Sequence, residues 1–317
     1  MQSWSLTVLL FPTALLSLKS QSCSVASVNL GDREAEFTRL NELLNMNITG
    51  ETPEPAPPEI SCIIQQYVPY AGLSSCSTSS VIGMSCNYCT NATATAHPEV
   101  YSFVSNTTSG THSVILVDEG RREIVVSFRG AESIWQILSL AATEAANYEV
   151  GDNSQAKVHL KTKEYLDTII DSLKSDLKDL NQRYPDFVIV FTGHSMGGGL
   201  ATLAAPVLFH ELRLHPEQML LITYGQPRVG SPEFAKYLRS LGFPHLRVVN
   251  EKDWTPRYAI FGGFVHIGNE INIQNGIPIQ CNNDELEDPK CMSIASTSIN
   301  LDDHTKVGEK LMGWSGC

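Results

Sequence analysis

The chain has 317 residues, 42% of them hydrophobic and 18% charged, enough to build one large folded domain or two small ones. Its net charge of −12 at pH 7 argues against nucleic acid or an anionic membrane as an electrostatic partner, and suits a soluble secreted protein. All eight cysteines lie after residue 22, an even number consistent with oxidised pairs outside the cytosol.

Residues 4–18 form an apolar run followed by Ser20-Gln21-Ser22. This reads as a secretory signal peptide over residues 1–22, too short for a membrane span. The positive charge usual before such a run is missing, since Lys19 follows it. No other stretch is long and apolar enough to cross a bilayer. Residues 23–60 form a polar extension, with a helix expected over 33–44 because Phe37, Leu40, Leu43 and Leu44 share one face. Residues 52–58, TPEPAPP, read as an extended linker that cannot pack. A simple N-terminal arm and a pro-segment, cleaved or aiding folding, fit this extension equally well. Asn47, Asn91 and Asn106 begin N-x-S/T sequons, which mark glycosylation sites if the chain is secreted. Cys86-Asn87-Tyr88-Cys89 lacks a second C-x-x-C or H-x-H partner at ribbon or finger spacing, so no metal site is expected there.

Residues 61–317 read as one catalytic domain. Strands are expected at 113–118 and 123–128 around the turn Glu119-Gly120-Arg121-Arg122. A long amphipathic helix is expected over 158–181, with Leu166, Ile169, Ile170, Leu173, Leu177 and Leu180 spaced three and four apart. A strand at 187–192, a helix at 196–212 and a strand at 219–224 follow. Ser231-Pro232-Glu233 then caps a helix reaching Leu241, and a strand follows at 245–249. Strands alternating with helices imply a mostly parallel central sheet with right-handed crossovers.

The most informative stretch is FVIVFTGHSMGGGL, residues 187–200, where an apolar strand runs into Gly193-His194-Ser195-Met196-Gly197 and then a small-residue helix. A chance G-x-S-x-G in a chain of this size is roughly a one-in-ten event, so the flanks carry the argument. A serine on a tight strand-to-helix turn presents its hydroxyl as a nucleophile, and the glycines on either side leave room for that turn. The amides that open the helix, Met196 first, face the place where an oxyanion would form.

A serine hydroxyl needs a histidine base, and the base needs an acid. Asp253 follows the strand Leu246-Arg247-Val248-Val249 at its carboxyl end, where such an acid belongs. Two histidines follow it, His266 and His304. His266 sits in a strand-like alternation that favours a structural role, and His304 in the last irregular loop. Spacing leaves both open and favours His304. Within Arg129-Gly130-Ala131-Glu132, the glycine lets the Ala131 amide approach the oxyanion opposite the Met196 amide. The stretch after it carries Ile134, Trp135, Ile137, Leu138 and Leu140. It is either an ordinary buried helix or a lid that opens at a lipid surface.

From about Tyr70 to Cys317 the chain resembles the secreted fungal lipases known as class 3 lipases. The shared segments are SFRGAESIW, VFTGHSMGGG, TYGQPRVGSPEFA, VVNEKDWTP, HIGNE, the Cys281-x9-Cys291 segment and LDDH. The resemblance implies an α/β-hydrolase fold with a helical lid, Ser195, Asp253 and His304 as the triad, and His304 as the base. It also implies disulfides Cys76–Cys317, Cys86–Cys89 and Cys281–Cys291, leaving Cys23 and Cys62 as a possible fourth pair. Ala131 stands where family members commonly carry Ser or Thr, and 158–161 lacks a glycine often found after His159. The expected activity is hydrolysis of acylglycerol esters at a lipid–water interface through an acyl-enzyme, by a secreted monomer without cofactor. A soluble carboxylesterase or feruloyl-type esterase, and a lipid-binding relative with weakened catalysis, are the alternatives.

Overall fold

The structure, a computed structural model, describes residues 33–44, 54–93, 98–133, 136, 144–151, 155–257, 263–282, 286–291, 300–308 and 310–317. In chain order the elements that matter are α1 (Arg33–Leu44), β1 (Glu54–Pro55), α2 (Pro58–Leu73), α3 (Thr78–Ile82) and α4 (Asn87–Thr93). Then come β2 (Glu99–Asn106), β3 (Thr111–Asp118), β4 (Glu123–Phe128), β5 (Ala145–Asn147), β6 (Lys157–His159), α5 (Leu160–Asp167) and α6 (Ile170–Arg183). The chain continues through β7 (Val188–His194), α7 (Met196–Glu211), β8 (Met219–Tyr224), α8 (Pro232–Ser240), β9 (His245–Asn250), β10 (Glu270–Gln274) and β11 (Ile277–Gln280).

Nine strands form one sheet in the order β1-β11-β10-β9-β8-β7-β4-β3-β2. The middle five, β4, β7, β8, β9 and β10, run parallel. Antiparallel strands are added at both margins of this parallel centre. Every residue of β3, β4, β7, β8 and β9 is buried. That follows from helices covering both faces, and it explains why these strands read as unbroken apolar runs.

The alternation of side chains sorts the core into two layers. Ile115, Val117, Ile124, Val126, Phe128, Ile189 and Phe191 face Leu166, Leu173, Leu177, Leu200, Leu203, Phe234 and Leu238 of α5 to α8. Val114, Leu116, Val125, Val188, Val190, Leu220 and Ile222 face Ile60, Ile64, Tyr67, Val68 and Tyr70 of α2. Cys76 is bonded to Cys317 across 241 residues, Cys86 to Cys89, and Cys281 to Cys291. Cys62 is disulfide-bonded too; Cys23 lies outside the described residues.

Two expectations are corrected. The helix anticipated over 158–181 is a strand followed by two helices. Lys157–His159 pair antiparallel with Ala145–Asn147, and the His159 ring then accepts the Thr162 amide as the cap of α5. The β-branched run Thr168-Ile169-Ile170 breaks the remainder, since Thr168 Oγ1 bonds the Tyr165 carbonyl and Ile169 leaves helical geometry at φ −128°. The proline-rich linker also packs: Glu54 and Pro55 pair with Gln280 and Ile279 at the sheet margin, and the Ala56 amide bonds the Pro278 carbonyl. Proline is compatible with an edge strand, where its missing N–H faces no partner.

One buried group makes stability depend on pH. Glu123, opposite Asp118 at the base of the β3–β4 hairpin, accepts a hydrogen bond from the Tyr67 hydroxyl at 2.7 Å. Burial pushes its carboxyl up from 4.5 to about 7, against the pull of Tyr67 and Arg121. Because the folded value lies above the unfolded one, this group's contribution to stability is fully present below about pH 4.5 and lost as pH rises through 7. Glu123→Gln keeps an acceptor for Tyr67 and removes the charge. Melting curves should show the variant several degrees more stable than the parent at pH 8 and indistinguishable from it at pH 4.

Candidate active site

The site is assembled from the carboxyl ends of β4, β7, β8 and β9. Ser195 lies between β7 and α7 with φ 59° and ψ −129°, a conformation that costs an L-residue on the order of 1–3 kcal/mol. Its amide donates to the Tyr224 carbonyl at 2.9 Å, strapping the turn to β8. A side chain at Gly193 would come within 2.4 Å of the Gly197 backbone, and one at Gly197 within 2.1 Å of the Phe128 carbonyl. Only glycine lets the turn close and lets α7 sit against the end of β4. Met196 and Gly197 open α7, and the first amides of a helix have no acceptor within it.

Asp253 follows the end of β9, is 1% exposed, and is fixed by its amide on the Asn250 carbonyl and by the Thr255 amide on its Oδ1, both at 2.9 Å. His304 ends a short helical turn, Leu301–His304, capped by the Asn300 side chain. The structure brings Ser195, Asp253 and His304 together. His304 Nδ1 lies 2.9 Å from each carboxylate oxygen of Asp253, and its Nε2 lies 2.9 Å from Ser195 Oγ. A hydroxyl, an imidazole and a buried carboxylate in this order of contact let an alcohol oxygen lose its proton as it attacks.

His266 stays away from this group. It is fully buried, its Nε2–H donates to the Pro256 carbonyl at 2.7 Å, and its amide donates to Glu287. Burial, with the Arg247 and Arg228 charges beside it, holds it neutral far below the ordinary histidine value. Its bond to Pro256 braces the segment that follows Asp253.

The loop after β4 lies against the serine. A side chain at Gly130 would press to 3.0 Å from the His194 carbonyl and 3.5 Å from Ser195 Cβ, so Ala131 follows directly at the rim. The Arg129 side chain donates to the Gly110 carbonyl and pairs with Glu132, while the buried Gln136 accepts the Glu132 amide at 2.6 Å and donates to the Ser109 carbonyl at 2.8 Å. Ile134, Trp135, Ile137, Leu138 and Leu140 lie outside the described residues.

Several supporting residues escaped the sequence reading. Asn250 Nδ2 donates to the Asp303 carbonyl and its Oδ1 accepts the Gly308 amide, both at 3.1 Å, which ties the His304 loop to the end of β9. Gly225 has φ +56°, and a side chain there would meet Asp253 Oδ2 at 2.7 Å and His304 Nδ1 at 3.1 Å. The His194 ring packs on the His304 ring. Each lies at or next to a strand's carboxyl end, and that position was the available signal.

Residues 125–262 match the family model of class 3 lipases. The lipase of Rhizomucor miehei is 32% identical over 224 residues, 68% of this chain and 60% of that relative, so the chain spans about three-fifths of its length. The secreted mono- and diacylglycerol lipase A of Penicillium cyclopium is 26% identical over 71% of this chain and 70% of its own. The solved structure of a triacylglycerol lipase whose catalytic centre is a serine protease triad superposes with a TM-score of 0.74, at 28% identity, over 82% of this chain and 98% of that one. Together with the nine-stranded sheet and the serine turn, these likenesses show that the chain has the α/β-hydrolase fold and that residues 125–262 resemble the class 3 lipases.

Proposed function

We propose that this chain is a secreted lipase that hydrolyses acylglycerol esters through an acyl-enzyme, with Ser195 as nucleophile, His304 as base and Asp253 as its orienting acid. The observation that carries the reading is the unbroken chain of contacts from Ser195 Oγ through the His304 ring to the Asp253 carboxylate, each at 2.9 Å. The substrate class is supported by relatives named for mono- and diacylglycerol and for triacylglycerol.

Ser195 Oγ adds to the ester carbonyl while its proton passes to His304 Nε2. Asp253 holds Nδ1–H and stabilises the imidazolium. The amides of Ala131 and Met196 receive the oxyanion, which collapses as His304 returns the proton to the departing alcohol. Water then repeats the sequence on the acyl-enzyme, giving the fatty acid and free Ser195. The stretch carrying Ile134, Trp135, Ile137, Leu138 and Leu140 serves as a lid that opens at a lipid–water interface.

Residues 1–22 are a signal peptide and residues 23–60 an extension ahead of the catalytic domain, 61–317. Extracellular export is supported by the three described disulfides and by the Asn106 sequon, which lies at the end of the edge strand β2. Asn91 falls in α4; Asn47 lies outside the described residues. Among the described residues no helix is long and apolar enough to cross a membrane.

Ser195→Ala should lower hydrolysis of a long-chain triglyceride emulsion by about 10⁴-fold or more, with the melting temperature unchanged. Retained turnover would remove the assignment. Ala131→Ser adds a hydroxyl donor beside the oxyanion and should raise kcat roughly tenfold with little change in KM, read on the same emulsion. Rates followed through the solubility limit of a short-chain ester should climb once droplets form, whereas a smooth saturation curve would point to a soluble esterase.

A further inference from the structure

His194 is the last residue of β7 and is joined by its own peptide bond to Ser195. Its imidazole has a second attachment far along the chain. Nε2–H donates to the main-chain carbonyl of His304 at 2.8 Å, and the two rings lie 4.6 Å apart at 31°. One residue is therefore linked covalently to the serine and by hydrogen bond to the histidine it must meet, 110 positions away. We propose that His194 is a positioning residue for the reaction: it sets the distance between Ser195 Oγ and His304 Nε2 by holding the main chain of His304. This rests on the assignment of Ser195 and His304 as nucleophile and base.

The chemistry of the pair suits that task. A carbonyl accepts only from a protonated ring nitrogen, so Nε2 of His194 carries the hydrogen. Burial, with the His304 charge beside it, lowers His194 to about 3. It therefore stays neutral near neutral pH. The bond to the His304 carbonyl then persists while the His304 ring gains and loses a proton. A neutral ring face beside that cation also attracts it, where a second charge would repel it. Among the described residues, other ties of the loop bearing His304 come from the end of β9 and the segment just after it: Asn250 bonds the Asp303 carbonyl and the Gly308 amide, the Lys252 amide donates to the Asp303 carboxylate, and the Asn300 amide donates to the Lys252 carbonyl. His194 supplies the contact from β7. A shift of about 1 Å in a reacting pair can cost on the order of a hundredfold in rate.

The test compares His194→Leu, which removes the donor, with His194→Gln, whose side-chain amide places a donor near the Nε2 position. His194→Leu should lower kcat 10- to 100-fold on an emulsified ester with KM within twofold. His194→Gln should recover kcat to within about fivefold of the parent. A purely structural role would move the melting temperature of both variants and would not separate kcat from KM. Should the leucine variant fail to fold, His194→Asn replaces it, since the shorter amide falls short of the His304 carbonyl and should be as slow. The proposal is overturned if folded His194→Leu keeps the parental kcat, or if the donor-bearing glutamine variant is no faster than leucine or asparagine. Ser195→Ala in the same assay separates the two levels of argument. Activity in that variant would sink the triad itself, whereas a dead Ser195→Ala beside a fully active His194→Leu would sink the positioning role alone.

Discussion

The backbone of Ser195, held at φ 59° between a buried strand and a buried helix, is the constraint from which the site follows. An L-residue does not take that conformation without a surrounding structure that over-determines it. Here β7 is locked on one side to β4 and on the other to β8, with every residue buried. Past the serine, α7 lies close over the sheet because Gly197, Gly198, Gly199, Ala201, Ala204 and Ala205 lack bulk. Neither β7 nor α7 can relax the turn without opening a core of Ile189, Phe191, Leu200 and Leu203. Packing free energy spread over the interior is thus what keeps one hydroxyl aimed outward.

The same sheet decides where the partners must come from. With β4, β7, β8 and β9 parallel, their carboxyl ends open on a single rim, and the loops leaving them meet there. β4 delivers Gly130 and Ala131, β7 delivers His194 and Ser195, β8 delivers Gly225, and β9 delivers Asn250 and Asp253. His304 comes from much later in the chain and has no strand of its own beneath it. Its place depends on contacts made by the others: the Asp253 carboxylate on Nδ1, Asn250 on the neighbouring carbonyl, and His194 on its own carbonyl.

This division explains what could be read in advance. The strands at 113–118, 123–128, 219–224 and 245–249 were legible because their apolar runs sit between turn residues, and the serine turn was legible because two glycines bracket it. Asp253 could be chosen by its position after a strand. The choice between His266 and His304 could not be made from spacing, since nothing in a linear pattern says that one imidazole donates to the Pro256 carbonyl and the other reaches Ser195. The split between α5 and α6 was missed because apolar spacing runs through Thr168 as though the helix continued, and only the hydroxyl's bond to the Tyr165 carbonyl reveals the break. In the linear sequence Gln136 is a polar residue between Trp135 and Ile137. In three dimensions it fixes the loop of Ala131 to the Ser109 carbonyl.

The extension before the catalytic domain follows the same logic of sheet margins. Its described part lies at the end of the molecule away from Ser195: α1 neighbours Pro216–Gln218, which leads into the start of β8, and the Asn41 side chain reaches the Gly242 carbonyl ahead of β9. Leu44 is fully buried, and the Gln280 side chain donates to the Leu43 carbonyl. Ten residues beyond Leu44, Glu54 and Pro55 cover the free side of β11. An uncovered β11 would present open amides and carbonyls to any other strand, and a proline in the outermost position blunts that tendency. A segment rich in proline looks like a spacer when composition alone is weighed. At a sheet margin the same residues close the edge, and they do so without approaching the rim where Ser195 and His304 meet.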